Sequence, residues 1–262
     1  MNSKTNIRIF DFNLFIEMMR SAAKIVESAK LTIGTDCTTI YGCRGNLSRC
    51  ELMTNAILAD EPTEICIASL VTLNKILSTV QAIHKDDYSD FKMTVELPKL
   101  KFSSKKFKTN FQLQTEDIIE KWLSKKVEAQ LVPELEFTTT SDIIRQLNSQ
   151  SYISDKPDDL RICLDVDESM EKNSLFATLR TADNDLSTSM TLKFGIITSG
   201  KTSPDRKLIL DFEHLNLFNA LQSDNIKIFL PQKYNMLVSK TNVSGKNDTF
   251  FNLNVYNALL KN

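Results

Sequence analysis

The sequence is poor in the residues from which many enzyme sites are built. Its six glycines form no GxxxxGK[ST] and no GxGxxG, so the backbone loops that cradle nucleotide phosphates are not expected. Two histidines, His84 and His214, lie far apart, each on the outer side of a helical repeat. Neither is placed as a general base or a metal ligand. The cysteines Cys37, Cys43, Cys50, Cys66 and Cys163 are odd in number and form no CxxC pair, and in apolar surroundings they read as reduced core thiols. No run approaches the roughly 18 apolar residues of a membrane span. The stretch Met1–Asn6 has no apolar core, so no secretory signal is expected. Charge of one sign is missing too: 32 basic and 33 acidic side chains leave a net charge of −1. Attraction to nucleic acid would have to come from how the cations are distributed.

What the chain does have is a long succession of short strands. Asn6–Asp11, Lys30–Asp36, Thr38–Gly42, Leu47–Ile57 and Glu64–Ala68 are rich in β-branched residues and separated by turn-like clusters. Phe91–Pro98, Leu100–Ser103 and Thr109–Gln114 follow, with a turn predicted at Lys105-Lys106. Later strands are predicted at Leu135–Thr138, Leu160–Val166, Leu175–Thr181, Ser189–Ile197, Lys207–Asp211, Ile226–Leu230, Met236–Thr241 and Phe250–Tyr256.

Four segments have helical spacing instead. Phe12–Lys30 carries Phe12, Phe15, Ile16, Met19, Ala22, Ala23 and Val26 on one stripe, with Asn13, Arg20 and Lys24 opposite. Leu70–Lys85 turns Leu73, Ile76, Leu77 and Val80 inward and Lys75 outward. A third helix starts at the capping cluster Thr139–Asp142 and runs to about Ser149, with Ile143, Ile144 and Leu147 inside. The fourth is Phe212–Gln222. The first and third helices begin about half a chain apart, so the order of elements repeats although the sequence does not. This predicts an N-terminal domain at 1–114, a connector at 115–133 that holds the single tryptophan, Trp122, and a C-terminal domain at 134–262.

Two features compete for a functional reading. Asp165, Asp167 and Ser169 form a DxDxS run after an apolar strand, as in phosphotransferases with a nucleophilic aspartate and Mg²⁺. Such enzymes need a parallel sheet, whereas the segments after Ser169 read as hairpins. Lys99, Lys101, Lys105, Lys106 and Lys108 interleave with Phe102 and Phe107 in the densest basic patch. That patch is either a nucleic-acid platform or a hairpin with buried phenylalanines and solvated lysines.

The element order, with three local runs, resembles the DNA polymerase sliding clamps, the family of proliferating cell nuclear antigen and the bacteriophage clamps. The runs are Ile65-Cys66-Ile67 followed by the lysine-bearing helix Leu73–Leu77, Leu210–Phe218 leading into the fourth helix, and Ile226–Pro231. The ending Tyr256–Leu260 and the charged segment after Asp90 depart from the cellular members and suggest a divergent viral or phage clamp. The resemblance implies an α+β fold of two similar clamp domains, each of antiparallel sheets with two helices on the inner face.

It further implies a homotrimeric ring with no catalytic residues and no cofactor. Such a ring encircles double-stranded DNA independently of sequence and serves a DNA polymerase and a clamp loader inside the cell, in the host cytoplasm if phage-encoded. The DNA-facing residues it implies are Arg20, Lys24, Lys75 and Arg145, with Lys30 and Lys85 near helix ends. Subunits would join through Thr109, Phe111 and Leu113 of one strand and Leu175, Ala177 and Leu179 of another. A pocket for partner peptides would draw on Tyr41, Ile118, Ile119, Trp122, Leu123 and Pro231. The alternative is a clamp-fold monomer, either a processivity factor or a transcription or checkpoint scaffold, that forms no ring by itself.

Overall fold

The computed structural model describes residues 4–44, 48–85, 87–115, 131–150, 160–167, 169–181, 189–200, 207–212 and 226–260. They divide into two compact units. One comprises Met1–Lys126 with Asn242–Leu253, and the other Val127–Thr241 with Asn254–Asn262.

The first unit opens with β1 (Lys4–Ile9) and helix α1 (Phe12–Ile25). Asp11 has extended backbone, and its Oδ1 accepts the Leu14 N–H at 2.9 Å, which caps the helix. Oδ2 of the same carboxylate accepts the backbone N–H of Lys246 at 3.0 Å and the Thr249 hydroxyl at 3.2 Å. One side chain therefore starts α1 and holds the tip of the C-terminal hairpin. The helix ends at Ile25, earlier than the predicted Lys30, because Val26 turns to extended backbone after its N–H bonds the Ala22 carbonyl. Leu14, Met18 and Ile25 are buried in addition to the predicted stripe, since α1 packs against a second helix on one side and against sheet strands on another.

After α1 come β2 (Ala29–Ile33), β3 (Thr38–Arg44), β4 (Ser48–Thr54), β5 (Ile57–Ala59), β6 (Thr63–Ile67) and helix α2 (Leu70–His84). The meander β7 (Lys92–Glu96), β8 (Lys99–Ser103) and β9 (Lys108–Gln112) completes the sequence. The strand predicted over Leu47–Ile57 is thus two strands. The break at Asn55-Ala56 is held by Asn55, which accepts the Phe250 N–H at 2.8 Å and donates to the Asp248 carbonyl at 3.1 Å. One antiparallel sheet runs β5-β1-β7-β8-β9, and a second runs β6-β2-β3-β4. Phe91 links α1 to the first sheet, with ring centroids 4.9 Å from Phe12 and 6.2 Å from Phe102. Burying each such side chain contributes about 1.5–3 kcal/mol.

His84, expected on a helix surface, is buried. It packs on Tyr88 and Phe91 and lies 3.5 Å from Asp90. It sits four residues after Val80 and extends the apolar stripe of α2, because the chain folds back over it at Tyr88–Phe91.

The second unit repeats the order with β10 (Pro133–Thr139), helix α3 (Ser141–Asn148), β11 (Leu160–Val166), β12 (Ser174–Thr181), β13 (Met190–Gly200) and β14 (Leu208–Asp211). The meander β15 (Ile226–Pro231), β16 (Met236–Ser244) and β17 (Phe250–Ala258) closes the chain. The tip of the last hairpin belongs to the first unit. The Thr140 hydroxyl caps α3 by accepting the Ile143 N–H. Of the predicted inward residues, Ile144 and Leu147 are buried and Ile143 is half-buried. The fourth predicted helix lies outside the described residues beyond Phe212.

Strand β13 has two partners in succession. Met190–Ile196 pairs with β12, and Ile196–Gly200 pairs with β10, so Ile196 meets both. The crossing requires glycine at position 195, where an added Cβ would lie 2.5 Å from the Thr138 carbonyl oxygen. Replacing Asp11 by Ala removes three hydrogen bonds at once. We expect this to cost about 2 kcal/mol, read as a lower urea midpoint at unchanged slope. Asp11→Asn, which keeps one acceptor oxygen, should cost less.

Candidate nucleic-acid interface

Helices α1 and α2 lie side by side and are joined by a polar seam. The Arg20 guanidinium donates to the Ser78 hydroxyl at 3.1 Å and to Gln81 Oε1 at 2.9 Å. Gln81 and Tyr88 both donate to Asn13 Oδ1, at 3.0 and 2.9 Å, and Asn74 donates to the Met19 carbonyl at 2.9 Å. The seam fixes Arg20 as an exposed cation at the boundary of two helices. Lys24 on α1 and Lys75 on α2 are also exposed, and so are the acids Glu17 and Glu27. Lys85 caps the end of α2 at a positive φ of 54°, with its N–H on the Gln81 carbonyl.

Two of the remaining cations are engaged. Lys30 is not near a helix end, because α1 stops five residues earlier. It stands on β2 and pairs with Glu64 at 2.8 Å. Arg145 is exposed on α3, but Asp142 lies one turn away at 2.8 Å and offsets its charge.

The predicted subunit strands fare differently. Among the described residues β9 is the last strand of its sheet, paired with β8 alone, and just beyond it a single bridge joins Gln114 to Cys66. Phe111 and Leu113 are buried within the chain itself and Thr109 is half-buried, so what β9 presents outward is backbone. The Leu113 N–H bonds the Pro98 carbonyl. By the two-residue period of a strand, the N–H groups of Asn110 and Gln112 face away from β8.

β12 is not an edge. It is paired over its length with β11 on one side and β13 on the other, and Leu175, Ala177 and Leu179 are buried. An apolar strand reads the same from sequence whether it is central or at an edge. The edge that no other described strand covers is Met190–Lys193 of β13, which among the described residues pairs only with β12; beyond it the Phe194 carbonyl already accepts the Thr139 hydroxyl of β10.

Of the expected peptide pocket, Ile118, Ile119, Trp122 and Leu123 lie outside the described residues. In the first unit, Tyr41 is half-buried on β3, with its hydroxyl 3.4 Å from Arg49 Nη1. In the second unit, Pro231 ends β15 opposite Pro133. Near it is a cluster that the sequence reading missed: Phe229, Val238 and Tyr256, packed against Leu131 and Met236, with Val132 60% exposed alongside. Lys240 Nζ lies 4.9 Å from the centre of the Phe229 ring. The one signal in the sequence is that Ile228-Phe229-Leu230 breaks the alternation of β15, so Phe229 falls on the face that carries Lys227.

The competing catalytic motif dissolves. Asp165 lies on β11, which has antiparallel neighbours on both sides. Asp167 accepts the N–H of Ser169 at 3.0 Å and its hydroxyl at 2.5 Å, and these bonds hold its carboxyl below the usual range. It organises a turn. Burial pushes the Cys50 thiol up to about 12 and raises those of Cys37, Cys43 and Cys163, so all four stay protonated at neutral pH.

Two units of like element order, built of antiparallel sheets with helices packed on them, define the DNA-clamp fold. In solved structures, the chain is similar over 100% of both chains to proliferating cellular nuclear antigen from Entamoeba histolytica, at 17% identity and a TM-score of 0.66. It is also similar to A. fulgidus PCNA bound to the C-terminal region of FEN-1, with 99% of each chain covered, 10% identity and a TM-score of 0.68. No protein-family model and no curated protein sequence matches it.

If the helices meet phosphate, Arg20→Gln and Lys75→Gln should each lower the magnitude of the salt dependence of duplex binding by about one. Asp142→Asn, which frees Arg145, should strengthen binding. Fluorescence anisotropy over a KCl series reads all three.

Proposed function

We propose that the protein is a DNA sliding clamp: three copies close into a ring around duplex DNA and hold a polymerase on its template. The observation that carries this reading is the pair of strand edges left uncovered among the described residues, β9 in the first unit and Met190–Lys193 in the second, within a DNA-clamp fold. In the first unit, β4 holds the position that the first half of β13 holds in the second, and β4 is covered by β17. A neighbouring copy's β9 would cover β13 in the same way. A head-to-tail contact of two different surfaces generates a ring when the rotation closes. Ring closure would also satisfy both edges and remove an invitation to aggregate.

The cations Arg20, Lys24, Lys75 and Arg145 are then the groups that screen phosphate as the ring slides. Their dilution by Glu17, Glu27 and Asp142 suits this task, since weak, sequence-independent contact permits movement while the closed ring prevents escape. Half-buried Leu131 and Met236 and exposed Val132, beside the buried cluster of Phe229, Val238 and Tyr256, are the proposed seat for an apolar anchor of a polymerase or clamp-loader peptide. No bond is made or broken in this role, and it requires no cofactor. The site of action is replicating DNA inside the cell.

Light scattering coupled to size exclusion should give a mass of three 29.8 kDa chains. Asn110→Pro deletes an outward N–H of β9 and leaves the β8 ladder intact, so it should reduce the mass to that of one chain. A wild-type protein that stays monomeric at high concentration would contradict the ring.

A further inference from the structure

The strands β7, β8 and β9 alternate strictly. Met93, Val95, Leu100, Phe102 and Phe111 point into the core, where Phe91 stacks between Phe102 and Phe12 of α1. The other face therefore lies on the far side of the sheet from the helices. That face bears Lys92, Lys99, Lys101 and Lys108, with Lys105 and Lys106 in the connecting turn and Lys4 on β1.

Between Lys92 and Lys108 there are six lysines and one acid, Glu96, in a chain whose net charge is −1. Lys101 pairs with Glu96 and holds its carboxyl below the usual range, with Lys4 adding to the effect. Arg8 is matched by Asp60 at 3.2 Å, while Asp87 and Asp90 lie against the turn. Lys92, Lys99, Lys105 and Lys108 form no ion pair among the described residues.

We propose that this outward sheet face is a second polyanion site, distinct from the helices, which holds the phosphate backbone of duplex DNA running outside the clamp. Charge complementarity selects a polyanion. Strands about 4.8 Å apart, with same-face residues nearly 7 Å apart along each strand, set the lysines in a grid. Polar Thr94, Ser103 and Gln112 stand between them as further partners for phosphate. Lysine is a point charge on a flexible stem and lacks the rigid fork of arginine, which suits contact independent of sequence.

The strands expose no aromatic ring on this face, so the stacking platform for unpaired bases is missing. They also offer no apolar anchor of the kind by which acidic protein segments dock. The nearest exposed apolar groups are Leu97 in the β7–β8 turn and Phe10, over which Arg8 lies. Strand addition at β9 would extend the sheet sideways and leave the face open, so this proposal does not depend on the ring.

The test uses the full chain and a labelled short linear duplex of mixed sequence, titrated over a KCl series. The quadruple variant Lys92→Gln, Lys99→Gln, Lys105→Gln, Lys108→Gln should weaken binding at low salt at least about tenfold and lower the magnitude of the salt slope by roughly 3 to 4. The same loss is expected in an Asn110→Pro background, which separates this face from subunit assembly. Four conservative changes at exposed lysines should leave the thermal midpoint unchanged. A salt slope equal to that of the wild type would overturn the proposal. So would tighter binding of oligo-dT than of duplex, or loss of poly-glutamate binding with duplex binding intact.

Discussion

A β-strand at the margin of a sheet has a row of unbonded N–H and C=O groups, and a soluble protein must give each such row a partner, a cover or a charge. This constraint organises both units. In the first, the row on β4 is met by the opening residues of β17, and the pairing is pinned at its end by Asn55, by the Thr54 hydroxyl on the Phe250 carbonyl at 2.5 Å, and by the Asp11 carboxylate. Because Asp11 also caps α1, the helix and the strand cover are fixed by one group. Among the described residues the corresponding row on Met190–Lys193 and the row on β9 remain, and the proposed ring would satisfy the two with each other.

Electrostatics follows the same geometry. The chain is nearly neutral, yet two of its surfaces carry cations of different character. On the helices they are sparse and interspersed with acids, and Arg20 is tied down by its neighbours. On the outer face of the first sheet they are dense, flexible and largely uncompensated. A sparse surface favours sliding and a dense one favours holding. A clamp with both would keep its own duplex mobile while retaining a neighbouring stretch of DNA.

Much of the fold was legible in the sequence because it is written in local periodicity. The stripes of Phe12–Ala22 and Leu70–Val80 gave two helices, and the alternation in Lys92–Gln112 gave three strands and the turn at Lys105-Lys106, which Ser104 closes through its bond to Phe107. What failed was decided at long range. The split of β4 from β5 depends on Asn55 meeting Phe250. The burial of His84 depends on Tyr88 and Phe91 folding back. Strand order, and with it the identity of the edge, depends on pairings between segments that share no local signal, which is why β12 was read as an edge although it is paired on both sides. The Phe229–Tyr256 cluster joins buried residues 27 positions apart, on a strand face that alternation from Lys227 predicts to be polar. Lys30 was misplaced because the stop at Val26 is a backbone turn with no proline or glycine to announce it.

The central claim is that copies of this chain close on one another through their open edges. Negative-stain electron microscopy of the purified protein tests it most directly. The account predicts particles with three-fold symmetry and an open centre, lost on Asn110→Pro. Uniform solid particles, or a wild-type field without rings at concentrations where the protein is folded, would contradict it.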